Sequence, residues 1–118
     1  MARAEDVDDL TFKDETVGAW SVLSVAGELD MNTSPALQER LETLTAGEAP
    51  KVALELSAVP FMDSSSLAIL VVNHKRLLER GGALALVGVA GSPEKVLTIT
   101  GIDRVIPVFS QTSDLPQD

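Results

Sequence analysis

The chain has no cysteine and no tyrosine, one histidine and one tryptophan. Each shortage removes a class of chemistry. Without cysteine there is no disulfide, no thiolate nucleophile and no thiolate-bound zinc. One histidine leaves no basis for a histidine-rich metal site. Aromatic residues make up 3% of the chain and hydrophobic ones 45%, so the core must be aliphatic. Bases are scarce too: nine stand against 18 acids, for a formal net charge of −9. Such a surface repels a phosphate backbone and an anionic membrane, so no direct contact with nucleic acid or membrane is predicted. No apolar run approaches a bilayer span, and the first residues carry no apolar leader segment. A cytoplasmic protein is the expectation.

What is present fits one domain of an α/β class in 118 residues. Residues 1–9, with four acids and one arginine, read as an acidic lead-in. The domain is expected over 10–110 and a loose polar tail over 111–118. Residues 10–15 suggest a short edge strand, 16–19 a turn, and 20–26 a strand rich in strand formers. Ser34 is a candidate helix cap, with Pro35 at the first helical position. Leu37, Leu41 and Leu44 then make one apolar stripe. Val52, Leu54 and Leu56 alternate as one side of a strand. Residues 67–80 form the longest helical pattern, ended by Gly81-Gly82. Residues 83–89 read as a strand, 92–100 as a short helix opened by Ser92-Pro93-Glu94, and 106–109 as an edge strand marked by Pro107. The order β, β, α, β, α, β, α, β predicts a sandwich with a largely parallel sheet.

The segment Phe61-Met62-Asp63-Ser64-Ser65-Ser66-Leu67 opens the long helix. Asp and Ser are preferred N-caps because their oxygens accept unpaired backbone N–H bonds. The same free N–H groups and the positive end of the helix dipole would also favour a phosphate there. A serine nucleophile would need a base, and the one histidine, His74, lies about 15 Å along the same helix from Ser64. No G-x-S-x-G elbow is present, so a hydrolase is set aside. Glu28 and Asp30 read as solvated loop acids, and His74 as a solvated residue on an exposed helix face. Gly88 and Gly91 do not form a phosphate-binding spacing. No metal or cofactor motif is found. Among Ser64, Ser65 and Ser66 these arguments do not choose.

Four stretches together resemble the STAS family of bacterial anti-sigma factor antagonists. Gly27-Glu28-Leu29-Asp30 is similar to its "GELD" turn, and Phe61 to Leu67 to its "F-x-D-S-S/T-G-L" phosphorylation segment. Gly81-Gly82 with the strand to Val87 is similar to "G-G-x-L-x-L", and Leu97 to Asp103 to "L-x-x-x-G-L/I-D". The resemblance spans residues 10–109. It implies a STAS-type sandwich: a mostly parallel sheet with an antiparallel N-terminal strand and helices packed on it. It implies a non-enzymatic switch whose unphosphorylated form binds an anti-sigma factor that is also a serine kinase, which frees a sigma factor. Phosphorylation ends the binding, and a serine phosphatase restores it. By position the acceptor would be Ser64, with Ser65 as the alternative, and the partner surface would comprise Asp30, Asp63, Ser64, Ser65 and Ser66. A STAS subunit of a transport assembly, never phosphorylated, is the alternative role. Two departures stand out. Ser66 replaces the family's glycine and would place a side chain at the interface, and no C-terminal helix is visible after Phe109.

Overall fold

A computed structural model describes residues 10–117; the acidic stretch 1–9 lies outside the described residues, as does Asp118. The elements are β1 (Thr11–Val17), β2 (Trp20–Ala26), α1 (Ser34–Leu44), β3 (Lys51–Ala58), α2 (Ser64–Glu79), β4 (Ala83–Val87), α3 (Gly91–Thr100) and β5 (Val108–Phe109). Single 3-10 turns cover Ile102–Arg104 and Thr112–Asp114. This is the predicted order. The sheet runs β1-β2-β3-β4-β5, with β1 antiparallel to β2 and the other pairs parallel. A tight connection permits only the antiparallel pair, whereas α1 and α2 bring the chain back for parallel ones. Pairing of Thr16 with Ser21 and of Val17 with Trp20 extends β1 into the first half of the expected turn, which narrows to Gly18-Ala19. β5 is two residues long and at the edge, as Pro107 foretold; the Pro107 carbonyl accepts from the Leu86 N–H.

The period-two pattern divides two faces. Leu23, Val25, Val52, Leu54, Leu56, Leu84 and Leu86 meet Leu37 and Leu41 of α1, Leu70 and Leu77 of α2, and Leu97 of α3. Each such leucine contributes about 1.5–3 kcal/mol on burial, which is how so few aromatics suffice. The other face carries Trp20, Val22, Ala53, Ala85 and Val87, packed with Leu115.

That packing corrects the expectation of a loose tail. Leu115 is 3% exposed. The Trp20 Nε1–H donates to the Pro116 carbonyl at 2.7 Å, and the Ala19 N–H to Gln117 Oε1 at 3.0 Å. The C-terminal residues are therefore a strap across the second sheet face, with one 3-10 turn in place of a full helix.

Helix α2 buries Ser66, Leu70, Asn73 and Leu77 in one stripe at spacings of four, three and four. Its end is a Schellman closure: Gly81, at φ 78°, donates to Leu78 O at 3.0 Å, and Gly82 to Leu77 O at 2.8 Å. At Gly82 a Cβ would stand 2.0 Å from Pro50 O, so only glycine lets α2 hand over to β4 this close to the start of β3.

Candidate functional site

Two loops meet at the C-terminal ends of β2 and β3. A bulge precedes them: Ser24 pairs with Glu55 but Ala26 with Ala58, so β3 gains one residue just before the site. The loops are then stitched by a lone parallel bridge. Leu29 N–H donates to Phe61 O at 2.9 Å, and Asp63 N–H to Leu29 O at 3.1 Å. Leu29 and Met62 are buried, at 0% and 2% exposed. This bridge brings Asp30 beside Asp63, two residues 33 positions apart.

Each acid is engaged by its own loop. Asp30 Oδ1 accepts from the N–H groups of Asn32 at 2.9 Å and Thr33 at 3.0 Å. The Thr33 hydroxyl donates to Glu28 O at 2.7 Å and accepts from Asp30 N–H at 3.0 Å. Asp63 is the N-cap of α2, as its position predicts. Its Oδ1 accepts from the N–H groups of Ser65 and Ser66, at 3.0 and 3.2 Å, and from the Ser65 hydroxyl at 2.6 Å. The Ser65 hydroxyl foremost holds the Asp63 carboxyl below its ordinary value of 3.8; burial opposes this, and N–H groups of Ser66, Ser65 and Met31 assist it.

The three serines differ sharply. Ser64, the first residue of α2, is exposed, and nothing bonds its hydroxyl among the described residues. Ser65 is half-buried and its proton is committed to Asp63. Ser34 Oγ, 3.2 Å away, therefore donates to Ser65 Oγ. Ser66 is 0% exposed and donates to Asp63 O at 2.8 Å. The expectation that Ser66 meets a partner is corrected: four residues before Leu70, it belongs to the inward stripe. Ser34 also departs from its expected role. Thr33 stands at the cap position and Ser34 opens α1, buried, with its hydroxyl on the site. Sequence reasoning missed Ser34 because its partner lies 31 residues away.

His74 is half-buried, not solvated, and its Nδ1 is shielded without a partner among the described residues. It lines a cleft of about 160 Å³ with Val71, Lys75 and the turn after α3. This cleft is far down α2 from Ser64. Among the described residues no cluster of acids or histidines could hold a metal ion, and no helix is long and apolar enough to cross a membrane.

The sequence pattern of the STAS domain matches residues 11–115. The chain belongs to the STAS domain family. This STAS domain is 33% identical over 84 residues to the anti-sigma-B factor antagonist of Listeria monocytogenes, covering 71% of this chain and 74% of that one. It is 30% identical over 96 residues to the anti-sigma-F factor antagonist RsfB of Mycobacterium tuberculosis, covering 80% and 76%. The crystal structure of an anti-sigma factor antagonist from Mycobacterium paratuberculosis superposes with a TM-score of 0.81 at 31% identity, covering 92% of both chains.

The cap of this STAS domain gives a direct test. Asp63→Ala is expected to lower the unfolding free energy by about 1–2 kcal/mol, and Asp63→Asn by less. Because the folded carboxyl titrates below 3.8, its contribution is complete above that pH and is lost as pH falls through the folded value. Urea unfolding of wild type and Asp63→Asn should therefore converge in acid. A gap that persists unchanged at pH 2 would remove the ionised cap from the account.

Proposed function

We propose that this chain is an anti-sigma factor antagonist whose binding is switched off by a phosphate on Ser64. It acts by binding, not by catalysis. Unmodified, it holds an anti-sigma factor with serine kinase activity and so releases a sigma factor in the cytoplasm. Modified, it lets go until a serine phosphatase removes the group. The observation that carries this reading is the contrast among the serines at the start of α2. Ser64 alone presents an exposed, unbonded hydroxyl, Ser65 is tied to Asp63, and Ser66 has no exposed surface. A phosphate on Ser64 would meet the positive end of a 16-residue helix, so the folded domain can carry the charge. The relatives named as anti-sigma factor antagonists favour the same role.

The experiment pairs the chain with the anti-sigma factor kinase and ATP and maps the phosphate by mass spectrometry. Ser64→Ala is expected to take none, and Ser65→Ala to take it on Ser64. Wild-type levels on Ser64→Ala would move the acceptor to Ser65. Co-purification with a transporter and no kinase partner would replace the switch by the transport-assembly role.

A further inference from the structure

We propose that Met31 and Phe61 are the apolar anchors by which the Ser64 surface holds its partner, and that Asp30 and Asp63 are positioning residues. This rests on the antagonist reading above and divides the labour within it. Met31 is 72% exposed and Phe61 41% exposed. One stands on each of the two loops joined by the Leu29–Met62 bridge. Both loops are held by backbone bonds: the N–H groups of Asn32 and Thr33 close the turn around Met31 on Asp30 Oδ1, at 2.9 and 3.0 Å, and the Phe61 carbonyl accepts from Leu29 at 2.9 Å. A methionine and a phenylalanine presented to water on pinned loops, flanking an exposed serine, match the composition of interface centres.

The acids are differently occupied. Asp63 already receives the Ser65 hydroxyl and backbone N–H groups, and Asp30 receives two N–H groups of its own loop. Their removal would disturb the loops that carry Met31 and Phe61. The partner that fits is a protein surface with an apolar socket for the two side chains and lysines or arginines around it. The charge argument is the chain's −9 and the exposed Glu28 on the same loop as Met31.

The test uses the full chain as substrate of its anti-sigma factor kinase, with phosphate transfer to Ser64 measured over a range of chain concentrations. Met31→Ala and Phe61→Ala are each expected to raise KM about tenfold with kcat unchanged, the mark of lost uniform binding. Met31→Leu should restore most of the affinity. Ile99→Ala, which trims an apolar side chain 84% exposed on α3, should leave KM alone. KM within about twofold of wild type for both alanine variants overturns the anchors while Ser64 is still phosphorylated, leaving the antagonist reading intact. An equal rise for Ile99→Ala also overturns them. A wild-type chain that takes no phosphate on Ser64 overturns both.

Discussion

Phosphorylated on Ser64, the chain is expected to bind its anti-sigma factor more than about a hundredfold more weakly than the unmodified chain. The phosphate adds about −1.5 to −2 charges at neutral pH. It would stand in a surface that already holds Asp30 and Asp63, and in a complex it would be stripped of water. A hundredfold loss corresponds to about 2.7 kcal/mol, well within what an uncompensated buried charge costs. Folding should not suffer. The phosphate lies at the first position of α2, where the helix dipole offsets repulsion from Asp63. Isothermal titration of the partner with the two forms measures the first effect, and thermal unfolding the second. Equal affinities would remove the switch. A large drop in unfolding temperature would mean that binding is lost through unfolding instead of charge.

Leu29→Ala should be costly in another way. Leu29 is fully buried, and its backbone carries both bonds of the bridge to Phe61 and Asp63. Truncation of a core leucine costs about 2–5 kcal/mol, from lost burial and the cavity left behind. Urea unfolding checks this through the midpoint at constant slope. Because the bridge positions both loops, partner affinity should fall further than the unfolded fraction explains. A variant with wild-type stability would show that the bridge is not held by Leu29 packing.

Much of this architecture is local and therefore legible. Val52, Leu54 and Leu56 declare a strand face, Pro35 marks a helix start, and Gly81-Gly82 marks a helix end, each through a few neighbouring residues. The Asp63 cap is of the same kind. What escaped reading depends on distant contacts. Leu115 is one apolar residue in a polar tail, with no period to betray it, and its value comes from the small side chains of Ala53 and Ala85 opposite. His74 is covered by a turn some 30 residues later. Thr33 and Ser34 are both capping residue types, so composition could not say which one caps and which one turns to Ser65. For Ser66 a signal did exist. It sits four residues before Leu70 and eleven before Leu77, the spacing of the buried stripe.

The strap over the second sheet face has an optical consequence. It clamps the chain's one tryptophan by its indole N–H, at the start of β2, whereas the Ser64 surface lies beyond the end of that strand, about 20 Å away at the rise of an extended chain. The intrinsic fluorophore thus reports on the attachment of the C-terminal residues and on global folding. It is blind to the state of the serine.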